Sequence, residues 1–198
     1  MKSVLISIQP YWVFLIIAKK MGWNIGKEKT VEVRKNYPKD ENWNKIVKIY
    51  CSKDKKSFAK IPKEYQPLME RFLGKVIGEF LCDCIGDYWF SEYDIDIEEY
   101  EDVQLSCLSA KEIIEYGDDK ELYFWYICDL VIYDEPRDLS EFRTLCNGQY
   151  KDCRKCGYFH SADSESTGFF ESCCFDGVIP LTRPPQSWCY VQEASNND

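Results

Sequence analysis

Hydrophobic positions along the chain come in short runs separated by polar or glycine-containing stretches. Val4 to Ile8 is an apolar run of strand length, and Pro10 then stands where a first helical turn tolerates proline. Residues 11–20 read as an apolar helix ending in Lys19 and Lys20, the favourable charge at a helix C-terminus, before a connection through Gly22, Asn24 and Gly26. Thr30 to Arg34 alternates β-formers with polar residues, the period-two signature of a half-buried strand, and Ile46 to Cys51 is a second such segment. Residues 52–73, rich in lysine and carrying Pro62 and Pro67, read as an excursion with a short helix. Gly74 to Cys82 is a further strand, followed by an acidic loop holding Glu92, Asp94, Asp96, Glu98, Glu99, Glu101 and Asp102. Ser109 with Glu112 three residues later is the capping-box pattern, predicting a helix to Tyr116 that stops at Gly117. Tyr123 to Tyr133 is strongly β-forming, residues 146–178 are cysteine-rich with few aliphatics, and Ser187 to Val191 closes the chain as a strand. Short strands with two or three helices and no internal repeat predict an α+β fold built round a small β-barrel of about five or six strands.

A length of 198 residues fits one domain, 1–198, with the stretch 146–178 as a cysteine-rich insertion. With 45% hydrophobic and 30% charged residues the chain is globular, which excludes intrinsic disorder. A single histidine, His160, excludes chemistry needing two histidines from one copy. Eleven cysteines are an odd number in a chain long enough to bury a core without staples. Several of them (Cys51, Cys82, Cys84, Cys128) sit in apolar runs, where a reduced thiol behaves as a small hydrophobe, so a cytoplasmic location is expected. Tyr11 to Ala18 is far shorter than the ~20 apolar residues of a membrane span and has no cleavage site after it, so neither membrane insertion nor export is expected.

The net charge of −9 argues against a protein that coats nucleic acid, yet the total hides a gradient. Residues 1–80 carry 15 lysines and two arginines against eight acids, a net of +9, which leaves −18 on the remainder. Two readings stand side by side. One is a basic face for a phosphate-bearing ligand, the other a solvated helix bearing Lys53, Lys55, Lys56, Lys60 and Lys63, balanced internally by the acidic loop.

Strict alternation would put Lys29, Val31 and Val33 on one side of the strand, and Thr30, Glu32 and Arg34 along ~13 Å of the other. A hydroxyl, a carboxylate and a guanidinium in a row can read a polar heterocycle: the carboxylate accepts from an amino group and arginine forks onto a phosphate or carbonyl. A cross-strand ion pair is the plainer alternative.

The order of these segments resembles the ASCH family, a branch of the PUA-like β-barrels. The resemblance rests on a strand ending Ser7-Ile8-Gln9-Pro10, a helix, the Gly26-x-x-Lys29-Thr30-x-Glu32-x-Arg34 stretch, a strand ending Ile49-Tyr50-Cys51, Gly74 to Phe80, and the closing Arg183-Pro184-Pro185-Gln186-Ser187-Trp188. Leu122 to Ile127 and Pro184 to Val191 are similar to ASCH proteins of phages and prophages. The resemblance implies a PUA-like barrel and a cleft beside the Lys29–Arg34 strand that binds RNA or a modified nucleobase. It also implies two alternatives, an amidohydrolase acting on acetylated cytidine and a ribonuclease; a third, a phage protein that inhibits a host defence system of the anti-CRISPR type, would use the acidic −18 region to imitate nucleic acid or dock on a basic partner. The amidohydrolase lysine falls on Lys29, while its catalytic threonine falls on Glu32 rather than Thr30, so the expected nucleophile is absent. The later glutamate of that mechanism falls on Glu112 or Glu115, and Tyr126 stands where related phage proteins carry histidine.

Candidate site residues are therefore Lys29 and Glu32 for catalysis, and Lys29, Thr30, Glu32, Arg34, Trp125 and Trp188 for binding RNA or a nucleotide. Each tryptophan is either a stacking platform, worth ~1–3 kcal/mol per base, or a core residue. Cys153 and Cys156 form a Cys-x-x-Cys knuckle, which with Cys146 and Cys173 suits a structural zinc ion; Cys174 and His160 are the competing ligands. A loop with so few aliphatics cannot order itself by packing alone, and free thiols or a Cys153–Cys156 disulfide are the other readings. Expected partners are RNA or a nucleotide, with a host protein as a further option for the acidic region.

Overall fold

The computed structural model describes residues 3–39, 44–91, 93–94, 96–145 and 178–193. Strand β1 (Ser3–Ile8) is buried on both faces, which is why it reads as a continuous apolar run. Val4, Ile6 and Ile8 enter the main core, while Leu5 points into a smaller cluster on the opposite side. Helix α1 (Pro10–Ile17) begins on proline as expected but ends three residues before Lys20; Gly22 and Gly26 turn the chain back at φ 70° and 69°. The extended segment after them becomes β2 (Val31–Arg34), and β3 (Lys45–Cys51) returns parallel to β1, with Ile6 opposite Ile49. Parallel pairing demands a crossover, and α1 with β2 supplies it.

The lysine-rich excursion contains two short helices rather than one, α2 (Lys55–Phe58) and α3 (Gln66–Glu70). Asp54 caps α2 by accepting the Ser57 N–H at 2.7 Å. Strand β4 (Val76–Cys82) follows, then β5 (Ile85–Tyr88), which the sequence pattern did not announce. Part of the expected acidic loop is helical, with a 3₁₀ turn at Ile97–Glu99 and α4 (Glu101–Ser106). Asp102 is the reason this segment docks: it is buried, accepts the Tyr88 hydroxyl at 2.5 Å, and accepts the Tyr126 hydroxyl as well. Helix α5 (Ala110–Gly117) carries the expected capping box, and the left-handed residue that ends it is Asp118 at φ 53° rather than the glycine.

The β-rich run Tyr123 to Tyr133 is two strands. It breaks at Ile127 into β6 (Leu122–Tyr126) and β7 (Cys128–Arg137). The remaining strands are β8 (Phe142–Leu145), β9 (Val178–Pro180) and β10 (Trp188–Glu193). They form a seven-stranded sheet in the order β7-β4-β3-β1-β10-β8-β9, and a separate three-stranded sheet, β2-β6-β5. The fold is mixed α+β, but the expected five- or six-stranded barrel takes a different form. Among the described residues no pairing joins the edge strands β7 and β9 or links the two sheets. The corner at Ile127 passes the chain from one sheet to the other instead of closing a single one.

Where β4 meets β7 the register shifts, and a Cβ on Gly78 would lie 2.2 Å from the Val131 carbonyl oxygen, so only glycine fits. The same seam holds an ionic network. Lys48, 3% exposed, donates to Glu79 at 2.7 Å and to Glu193 at 2.5 Å, and Arg137 donates to Glu193 at 2.8 Å. Basic and acidic parts of the chain are thus interleaved at this point, which answers part of the charge split. Burial opposes charge on Lys48, but its hydrogen bonds to the two carboxylates prevail and hold its pKa above the ordinary value.

Cys51 and Cys82 are buried thiols pushed up to about 12 by desolvation, as a small hydrophobe should be. Cys84, expected with them, is exposed, and Cys128 is half-buried. Cys146, Cys153, Cys156, His160, Cys173 and Cys174 lie outside the described residues. Among the described residues, no helix is long and apolar enough to cross a membrane.

Candidate functional site

Strand β2 divides two environments. Val31 and Val33 enter the second core cluster with Phe124, Val103 and Ile113, whereas Glu32 and Arg34 face a cavity of about 620 Å³ between β2, the end of β1, α1 and α5. Lys29 joins them there, against the expected alternation. The strand ladder begins only at Val31, so Lys29 lies outside the period-two register and its long side chain folds back over the strand. Thr30 is held by its backbone, between the Leu105 carbonyl and the Ile127 N–H, and is absent from the cavity lining. Of the expected row, Lys29, Glu32 and Arg34 come together and Thr30 does not.

The three charges are buried, at 2%, 7% and 6% exposure for Lys29, Glu32 and Arg34. Lys29 Nζ donates to the Val31 carbonyl at 2.7 Å and the Ser106 carbonyl at 2.8 Å, and lies 3.4 Å from Glu32 Oε2. Those contacts use all three ammonium donors. Burial pulls the Lys29 pKa below 10.5, with Glu32 pulling the other way. Arg34 Nη2 donates to Glu32 Oε1 at 3.0 Å and to the Ser7 carbonyl at 2.7 Å, tying β2 to the end of β1. Two buried polar atoms of the wall have no hydrogen-bond partner among the described residues: Arg34 Nε and Ser52 Oγ. An orphaned buried polar atom costs ~1–3 kcal/mol, and a polar ligand relieves that cost.

The rest of the wall includes residues that sequence reasoning did not single out. Trp12 on α1 puts its ring centroid 5.3 Å from Lys29 Nζ, and Gln9, Asp54, Lys60, Tyr116 and Gln186 also line the cavity. Ser7 and Gln9 belong to the Ser7-to-Pro10 stretch of the family resemblance, which is the signal that could have found them; Trp12 becomes visible only once α1 is placed over β2. Glu112 and Glu115, the two options for a later glutamate, both line the cavity. Glu112 is committed to its cap, accepting from the Ser109 hydroxyl at 2.9 Å.

Trp125 does not serve as a stacking platform. It pairs with Glu32 across β2 and β6 but is 0% exposed, enclosed in the main core beneath the cavity. Trp188 is half-buried, packs edge-on against Tyr190 at 5.5 Å, and is not part of the cavity wall. The aromatic residues that line the cavity are Trp12 and Tyr116. Among the described residues no group of three or more histidine, cysteine or acidic side chains is arranged to hold a metal ion.

A second cavity, of about 850 Å³, adjoins the first and shares Trp12, Lys60, Leu108 and Glu112 with it.

No family model and no curated protein matches the chain. Among solved structures, the ASCH protein of Zymomonas mobilis is similar at 16% identity, covering 96% of this chain and 87% of its own, with a TM-score of 0.43. Two single-substitution variants of that protein are similar at 15% and 17% identity, with TM-scores of 0.48 and 0.43, covering 96% and 97% of this chain and 88% and 91% of theirs.

Proposed function

We propose that the chain binds RNA or a nucleotide, holding a single nucleobase in the cavity walled by Lys29, Glu32, Arg34 and Trp12. The observation that carries this reading is the buried Lys29–Glu32–Arg34 cluster, with Arg34 Nε unsatisfied, in the wall of a 620 Å³ cavity. That volume lies within the ~300–1,000 Å³ usual for small-ligand sites. A heterocyclic base suits both kinds of wall. Its π-face stacks on Trp12, its exocyclic amino group donates to the remaining lone pairs of Glu32, and a ring nitrogen or carbonyl accepts from Arg34. The family resemblance of the Lys29–Arg34 strand supports the same reading.

Binding is favoured over turnover because the Lys29 ammonium is saturated by two carbonyls and a carboxylate, and the Thr30 hydroxyl is not part of the wall. The amidohydrolase chemistry that the resemblance implies would need one of these groups free.

Titration of fluorescent single-stranded RNA tests the reading. The parent is expected to bind with salt-sensitive affinity, and Trp12→Leu to weaken binding by about tenfold or more, given a stacking contribution of ~1–3 kcal/mol. Arg34→Lys, which keeps the charge but loses the fork, is expected to weaken it as well. Absence of binding by the folded parent, or equal binding by Trp12→Leu, overturns the proposal.

A further inference from the structure

We infer that the ligand is at least a dinucleotide, with one base in the charged cavity, the neighbouring nucleotide in the adjoining 850 Å³ cavity, and the linking phosphate at Lys60; this rests on the nucleic-acid reading above. Trp12, Lys60, Leu108 and Glu112 line both cavities, so the two adjoin across these four side chains. Each is large enough for a nucleotide-sized ligand. Trp12 stands at the junction, and Tyr11, which lines only the outer cavity, meets it edge-on with ring centroids 5.1 Å apart. Consecutive aromatic residues facing consecutive cavities are a platform for consecutive bases.

Charge separates the roles of the two cavities. In the inner one, Lys29 and Arg34 are already neutralised or bonded by Glu32 and main-chain carbonyls, which leaves Lys60, shared by both cavities, as the cation for a phosphate. Lys60 and Lys27 differ. Both are exposed and neither forms an ion pair among the described residues; the recorded contact of Lys60 is the Tyr11 ring, 5.9 Å away. Of the three acids lining the outer cavity, Glu28 is ion-paired, while Glu98 and Glu112 accept from neutral donors and keep their charge. Glu28 pairs with Lys19 at 3.0 Å, Glu98 accepts from the Ala110 N–H at 3.5 Å, and Glu112 sits in its capping box. A phosphate leaving the inner cavity therefore meets Lys60 and then Lys27 as its unpaired counter-charges, while the buried cluster reads the base.

Competition against a fluorescent single-stranded RNA decamer tests this, using a nucleoside, its 5′-monophosphate and a dinucleoside monophosphate of the same base. The dinucleotide is expected to compete at least about tenfold better than the monophosphate, consistent with one further stacked base. In a Lys27→Ala, Lys60→Ala double variant that margin is expected to fall below threefold, with a shallower salt dependence. Equal competition by monophosphate and dinucleotide, or an undiminished margin in the double variant, overturns the two-cavity inference while leaving the single-base reading standing. Absence of competition by any of the three overturns both.

Discussion

Replacing Glu32 with glutamine removes the one carboxylate that holds two buried cations together while preserving shape. Glu32 Oε2 lies 3.4 Å from Lys29 Nζ and Glu32 Oε1 3.0 Å from Arg34 Nη2, with Lys29 and Arg34 at 2% and 6% exposure. In the variant, two like charges remain buried with only carbonyls around them. Breaking a buried pair in this way costs ~3–5 kcal/mol. For a chain of this size, at ~2–4 °C per kcal/mol, the midpoint of thermal unfolding is expected to drop by roughly 6–20 °C. The loss has a pH signature. Burial already lowers the Lys29 pKa below its unfolded value of 10.5, so below 10.5 the unfolded chain binds this proton more tightly than the folded one. Stability therefore rises with pH between the lowered folded pKa and 10.5, and removing Glu32, which opposes the lowering, extends that window to lower pH. Urea unfolding of parent and Glu32→Gln between about pH 6 and 9 reads the difference, in which contributions common to both proteins cancel. A loss under about 1 kcal/mol, the value of a hydrated surface pair, with no pH dependence of the difference, would refute the buried-cluster reasoning.

Other outcomes follow from the remaining polar clusters. Lys48→Met leaves Glu79 and Glu193 facing each other at the β3–β4–β10 seam and is expected to cost ~1–3 kcal/mol in urea unfolding, because both carboxylates stay partly wet. Those two carboxyls are held below 4.5, despite burial, by hydrogen bonds from Lys48, so the parent loses this stabilisation as pH falls through their folded values; the variant is expected to show a shallower acid limb. Asp102→Ala removes the common acceptor of the Tyr88 and Tyr126 hydroxyls, costing ~1–3 kcal/mol, and ultraviolet titration is expected to show Tyr88, now pushed up to about 12 by Asp102, returning toward 10. We also propose that Cys146, Cys153, Cys156 and Cys173 hold structural zinc: elemental analysis of protein purified without added metal is expected to give about one equivalent, and less than about half an equivalent overturns it.

Segments governed by local rules were legible in the sequence. The continuous apolar run of β1, the proline start of α1, the alternation of β2 and the Ser109–Glu112 box each reflect interactions within a few residues. What escaped depends on contacts between distant segments. Asp102 turns an acidic stretch into a docked helix only because Tyr88 and Tyr126 come from two other strands. Ile127 divides one β-forming run between two sheets, a choice that no periodicity encodes. At the site, alternation correctly put Glu32 and Arg34 on one face but misassigned Lys29, whose ammonium reaches Glu32 from outside the ladder. Trp125 shared that face and still became core, because burial depth, unlike side-chain direction, is set by what packs above it.

The most direct test of the central claim is photo-crosslinking of single-stranded RNA containing 4-thiouridine, followed by peptide mapping. Adducts are expected on Trp12, with Tyr11 and Tyr116 as further acceptors at the two cavities, and to be lost in excess unlabelled RNA. Adducts confined to surfaces away from α1 and α5, or none above a no-light control, would contradict a nucleobase site at the Lys29–Glu32–Arg34 cavity.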